Sequence, residues 1–235
     1  MSETSIWHED PELWESMKQF LFPPEKYEEA ADQMDDVIDL LDLSEGDRIL
    51  DMACGIGRHS VELASRGFDV TGVDATQTYI EDARQFAQSQ GVDVTFVHQD
   101  MREFYDPNAF DAILNMYTSF GYFDEKEDDR QVARNFYESL SDGGVLLMSL
   151  AGKELLARDF QERRWERNDN TFFLEHRAVT DNWEQMDNTW ILIEDGDVSE
   201  YSVTHRLYSA TELQTLLDDV GFQDITIYGD LAGNP

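Results

Sequence analysis

Between Arg48 and Thr76 the chain reads RILDMACGIGRHSVELASRGFDVTGVDAT, and few folds accommodate that order of features. Ile49 and Leu50 lead a buried strand into Asp51, and the turn Ala53-Cys54-Gly55-Ile56-Gly57 follows. Arg58 to Arg66 places Val61, Leu63 and Ala64 at helical spacing, with Gly67 at the C-cap. Phe68 to Val73 is a second strand, closed by Asp74. Glycines between a strand and a helix let a bulky ligand lie against bare backbone. An acid that ends the second strand is placed to accept hydrogen bonds from a ribose diol. The stretch implies a nucleoside-cofactor site.

The dinucleotide fingerprint requires G-x-G-x-x-G, but the frame from Gly55 ends in Ser60, and Ala53 opens the alternative frame. A third strand, Val92 to Val97, runs into Gln99-Asp100-Met101. A fourth, Phe110 to Asn115, runs into MYTSFGYF. After a helical stretch, Ser141-Asp142-Gly143-Gly144 precedes a fifth strand, Val145 to Leu150.

Taken in order, these motifs resemble those of the class I S-adenosylmethionine-dependent methyltransferases. LDMACGIGRH resembles that family's first motif, VTGVDAT the second and VHQDMREF the third. FDAILNMYTSFGYF and LSDGGVLLMSL resemble the later strand segments. The resemblance covers Arg48 to Leu150 and resumes near the C-terminus. It implies an α/β, Rossmann-like fold: a mostly parallel seven-stranded sheet with helices on both faces and an antiparallel insertion after strand five. It also implies S-adenosylmethionine as cofactor, with S-adenosylhomocysteine as product. The cofactor-binding residues would be Asp51, Ala53, Gly55, Gly57, Arg58, Asp74, Ala75, Asp100, Met101 and Asn115. Asp74 would take the ribose hydroxyls, Asp100 the adenine amino group, and the Met101 N–H the ring. Cys54, the single cysteine, reads as a small buried residue under the turn.

Seventeen basic residues stand against 51 acidic ones, a formal charge of −34, and the acids are spread along the whole length. Lysine occurs only at positions 18, 26, 126 and 153. Such a chain repels itself in dilute buffer and tolerates concentrated salt, where the Debye length falls to about 3 Å. The expectation is a halophile's cytoplasmic enzyme. The same charge argues against a nucleic-acid substrate, since phosphate binding needs basic patches. The arginines between Arg158 and Arg167 are interleaved with Asp159, Glu162 and Glu166, as on a solvated face. No run is long and apolar enough to span a membrane, no signal segment opens the chain, and the five histidines lack zinc spacing, so no membrane partner and no metal are expected.

The organisation predicted is one domain with four parts. Residues 1–45 form a helical lid, 46–157 the cofactor-binding core, 158–208 an antiparallel insertion over the acceptor pocket, and 209–235 a helix with a last strand, Phe222 to Tyr228. Asp195-Gly196 favours a tight hairpin turn within the insertion. The expected reaction is in-line displacement at the sulfonium methyl, to which the protein contributes alignment and exclusion of water. Tyr117 and His176 are the candidates for a catalytic role, with His205 beside them. Amine methyltransferases acting on bases carry an Asn/Asp-Pro-Pro-aromatic element after the fourth strand; Asn115-Met116-Tyr117-Thr118 has no proline. The segment TSFGYF instead resembles the small-molecule branch of the family, which implies a small-molecule acceptor. The alternatives are a non-catalytic cofactor-binding protein, an RNA or protein methyltransferase, and a nicotinamide-dependent reductase.

Overall fold

The computed structural model describes residues 6–234. The outermost residues of the leader and of the last segment, 1–5 and 235, lie outside the described residues. Two helices open the chain. In α1 (Pro11–Leu21) Pro11 stands where an N–H would be unpaired anyway, and the Asp10 carboxylate accepts from the Glu12 and Leu13 amides. Pro24 starts α2 (Pro24–Leu41), which buries Ala30, Met34 and Val37 along one stripe and ends at Asp42 in the left-handed region.

Five strands then alternate with helices: β1 (Arg48–Met52), α3 (Arg58–Ser65), β2 (Asp69–Asp74), α4 (Gln77–Gln90), β3 (Thr95–His98), β4 (Phe110–Asn115), α5 (Lys126–Ser139) and β5 (Leu140–Met148). All pair in parallel, in the order β3-β2-β1-β4-β5. The strand order reverses between β1 and β4, so a crevice opens outside their carboxyl ends. One face of the sheet buries Leu50, Met52, Val73 and Ile113 against Val132 and Phe136 of α5. The other buries Ile49, Val70 and Leu114 against Met34 and Val37 of α2 and Leu63 of α3. Helices on both faces explain why these strands read as continuous apolar runs.

The sheet has five strands, not seven. Phe222–Tyr228 joins no ladder: Gly221 (φ 126°) and Asp224 (φ 54°) turn the backbone at its start, and Ile227 and Tyr228 are exposed. A strand holds only against a partner, and a groove of about 1240 Å³ separates this segment from β5. The Ser141–Gly144 turn is not a separate element either. It lies within β5, where the pairing with β4 shifts register.

After α6 (Lys153–Asp159) come β6 (Arg163–Asn168), β7 (Thr171–Thr180), β8 (Gln185–Glu194) and β9 (Asp197–Arg206), and then α7 (Ala210–Val220). The four strands form a separate antiparallel sheet in sequence order. Asp195 and Gly196 both have positive φ, as the two-residue turn between β8 and β9 requires. The side chains of β6 are largely exposed, so its arginines lie on a solvated face.

This sheet stands behind α1: Phe173, Leu192 and Val203 pack on Leu13 and Met17. At a buried point it is fastened to α5 and to the loop that precedes α5. Arg206 donates from Nη1 to Asp129 Oδ2 and to the Phe123 carbonyl, both at 2.9 Å, and from Nη2 to the Asp124 carbonyl at 2.7 Å. Its amide donates to the Gly121 carbonyl at 2.6 Å, and a Cβ on Gly121 would meet the Arg206 carbonyl.

Candidate cofactor and active site

The crevice at the carboxyl ends of β1, β2, β3 and β4 holds a cavity of about 310 Å³. Its floor is the turn after β1. Ala53 takes φ 61°, a left-handed conformation in which a side chain is strained, and Gly55 and Gly57 take positive φ as well. Asp51 is 2 % exposed and accepts from Ser60 Oγ at 2.6 Å, and burial pushes its carboxyl up to about 6. Cys54 is buried against Phe96, and burial raises its thiol well above the ordinary value.

Asp74 closes β2 and is fixed by two backbone donors. Gly55 N–H donates to Oδ2 and Thr76 N–H to Oδ1, each at 2.8 Å. Each oxygen keeps a second lone pair for a hydroxyl. Burial raises this carboxyl, and the two N–H bonds work against that rise. Asp100 stands at the far end. Its own neighbour Arg102 holds it, Nη2 donating to Oδ2 at 2.6 Å and the amide to Oδ1 at 2.7 Å. Despite burial, Arg102 keeps this carboxyl below its usual range.

The roof comes from the leader. Trp14, Leu21 and Phe22 line the cavity, and the Tyr79 hydroxyl of α4 donates to the Trp14 carbonyl. Phe22 lies directly over Gly55: a Cβ there would come within 2.7 Å of its ring. Tyr122 meets Trp7 edge-on at 4.9 Å and stacks on Trp14 at 6.4 Å, and burial pushes its hydroxyl up to about 12.

The β4 side is built differently. Tyr117 and Thr118 both have positive φ, a double kink held by Thr118 N–H donating to the Ser149 carbonyl at 2.8 Å. The kink turns the Tyr117 ring onto His59, parallel at 5.6 Å, and beneath the Arg58 guanidinium at 4.6 Å. Such stacking suits guanidinium, which is weakly hydrated. Burial is the main force lowering His59, to about 3, with Arg58 and Lys26 adding to it. Its Nε2 lies 3.0 Å from Gln33 Oε1.

Of the residues named from sequence, Asp51, Ala53, Gly55, Arg58, Asp74, Ala75, Asp100, Met101 and Tyr117 line this one cavity. Three do not. Gly57 caps α3 and faces Phe96 and Ala83. Asn115 is fully buried, and its Nδ2 ties the Met52 carbonyl to that of Ser119 at 3.2 and 3.3 Å. Parallel register opposite Met52 turns it into the sheet, so it braces the loop that follows β4. His176 sits on β7, half exposed beside Glu162, and His205 lies half-buried on β9; neither lines the cavity. No residue of the antiparallel sheet does. The insertion reaches the pocket at second hand, by backing α1 and anchoring the 119–124 loop. His59, Phe22, Tyr79 and Gln33 were not singled out as site residues. The available signal for Gln33 was a polar residue on the Ala30-Met34-Val37 stripe.

The donor set fits S-adenosylmethionine: a fixed carboxylate for the ribose, a second one at the adenine end, and a buried acid where the methionine end would lie. Fold and site together define the class. The chain carries a class I S-adenosylmethionine-dependent methyltransferase domain, and residues 49–144 match the family described as a methyltransferase domain. It is a transferase whose methyl donor is S-adenosylmethionine.

Particular relatives follow. A glycine/sarcosine N-methyltransferase of Aphanothece halophytica is 29% identical over 187 residues, 78% of this chain and 69% of that one. A ubiquinone biosynthesis O-methyltransferase of Rickettsia canadensis (strain McKiel) is 28% identical over 101 residues, 43% and 41% of the two chains. In fold, a methyltransferase structure from Clostridium acetobutylicum ATCC 824 superposes with a TM-score of 0.78 at 17% identity, over 95% of this chain and 92% of that one.

Proposed function

We propose that the chain transfers the methyl group of S-adenosylmethionine to the nitrogen of a small amine. The observation that carries this reading is the roofed, aromatic-walled cavity. Trp14, Leu21, Phe22 and Tyr122 enclose the reacting region, which leaves room for a small acceptor and no groove for a polymer. The choice of nitrogen is supported by the reach of the relatives. The N-methyltransferase aligns over 78% of this chain, whereas the O-methyltransferase aligns over 43%.

When bound, the cofactor supplies an activated methyl group, so the protein's part is alignment and exclusion of water. Asp74 and Asp100 would hold the nucleoside, and Asp51 would face the amino end of its methionine part. Trp14, Phe22 and Tyr122 close the reacting region from solvent. The amine attacks as the free base, and the proton released after transfer leaves through the rim beside Tyr117. No side chain of the described residues is required as a strong base.

A methyl-transfer assay that quantifies S-adenosylhomocysteine tests this, with a panel of small amines, phenols, RNA and protein. The expected result is turnover of one or more small amines. Turnover of phenols alone, or of a polymer alone, sinks the reading.

The acidic surface belongs to the same proposal: the enzyme works in concentrated salt. Its melting temperature is expected to rise by at least about 10 °C between roughly 0.1 M and 2 M potassium chloride, as screening relieves the repulsion among carboxylates. A flat melting temperature across that range would contradict it.

A further inference from the structure

Two arginines are buried, Arg58 at 6 % and Arg206 at 7 % exposure, and they differ in one respect. Arg206 is answered by Asp129. Among the described residues Arg58 has no ion pair. Its Nη1 donates to the Lys26 carbonyl at 2.9 Å and to Gln33 Oε1 at 3.0 Å, both neutral. In a chain of 51 acidic and 17 basic residues, a buried guanidinium with no carboxylate in ion-pair contact is the exception; Asp51 and Glu29 act on it only through space. Burying an uncompensated charge is expensive. Arg58 borders the cavity, so the missing negative charge can arrive with a ligand.

The neighbours of Arg58 narrow that ligand. Gln33 Oε1 can only accept, and it already takes the Arg58 donor, so His59 Nε2 must carry the ring's proton. His59 Nδ1 is then a bare acceptor, and among the described residues nothing donates to it. The ring is 5 % exposed, lines the cavity and is held flat against Tyr117. A second cation, Lys26 Nζ, lies 5.7 Å from the Tyr117 ring, already paired with Glu29 at 2.9 Å. The corner thus offers a fixed cation beside a fixed neutral acceptor.

Its position separates it from the nucleoside end. Asp74 and Asp100 belong to the ends of β2 and β3, on one side of β1, whereas Tyr117 follows β4 on the other.

We propose that Arg58, with His59 and Tyr117 beside it, binds the carboxylate of an amino-acid-like acceptor, whose amine N–H meets His59 Nδ1. This rests on the reading of the acceptor as a small amine. The rival source of a carboxylate is the methionine part of the cofactor itself, and the test separates the two.

Calorimetry and turnover are measured on the same protein with matched pairs: glycine and glycinamide, alanine and alaninamide. S-adenosylhomocysteine and its decarboxylated analogue are titrated in parallel, for the wild type and for Arg58→Gln. The expected result is a preference of at least about tenfold for the acid of each pair, the usual worth of a charge-assisted hydrogen bond. Arg58→Gln is expected to erase that ratio, and any loss of S-adenosylhomocysteine affinity is expected to be smaller than the loss for the acid, which separates this role from the cofactor contact that the resemblance implies for Arg58. Equal use of acids and amides overturns this inference while leaving amine methylation standing. A large loss of S-adenosylhomocysteine affinity in Arg58→Gln, matched by decarboxylation in the wild type, assigns the corner to the cofactor and also overturns it. Because Arg58→Gln removes a buried side chain, the acid-to-amide ratio of the wild type is read first; if no pair binds or reacts, the proposal fails without the variant.

Discussion

Asp74→Ala is expected to weaken S-adenosylhomocysteine binding by at least about a hundredfold, the worth of two hydrogen bonds to a charged acceptor. The carboxylate has two tasks. On the proposed reading it accepts from the ribose hydroxyls, and it clamps the Gly55 amide at 2.8 Å, which fixes the turn that forms the cavity floor. Removing it loosens the floor as well as deleting the contact. Asp74→Asn keeps one acceptor oxygen and should fall between the wild type and the alanine variant. Calorimetry with the product nucleoside reads both variants without any knowledge of the acceptor. An Asp74→Ala protein that is folded and binds as the wild type does would remove β2's acid from the site.

The second large effect concerns stability. Asp129 is fully buried, and it accepts from Arg206 Nη1 at 2.9 Å and from the Tyr208 hydroxyl at 2.7 Å. Replacing either charged partner alone strands the other, and each of Asp129→Leu and Arg206→Met should cost about 3–5 kcal/mol. For a chain of this length that is a fall of roughly ten degrees in melting temperature. The double variant should cost clearly less than the sum, since no charge is then left buried without a partner. Thermal melts of the three proteins in concentrated salt decide it. Additive losses would show that the pair is not coupled. Arg206 also donates to the carbonyls of Phe123 and Asp124, so the single variants should loosen the loop that carries Tyr122 and lower turnover along with stability.

What the sequence revealed follows from how local each feature is. The turn from Asp51 to Gly57 and the acid at Asp74 are fixed by a strand, a turn and a helix within one βαβ unit, so spacing alone placed them. The Asp195-Gly196 hairpin was legible for the same reason, since its turn type depends on two residues. Phe222 to Tyr228 has the alternation of a strand, but a strand exists only through its neighbour, and alternation does not say whether a neighbour is there. Asn115 was assigned to the cofactor because it ends β4, yet one residue of register decides whether a strand-end side chain points to the crevice or into the sheet. Gln33 meets Arg58 across 25 residues of chain, and Phe22 lies over Gly55 across more, and periodicity carries no information about such encounters. The halves of the site that were hidden are those assembled from distant segments.

The site's two walls come from different parts of the chain. The acids proposed to hold the nucleoside stand at the carboxyl end of β2 and just past that of β3, against the central sheet. The wall opposite is drawn from the two leading helices and a kinked loop after β4, braced from behind by a sheet that never touches the ligand. Recombination or drift in the leader can therefore retarget the enzyme to a new acceptor while its cofactor chemistry is inherited intact.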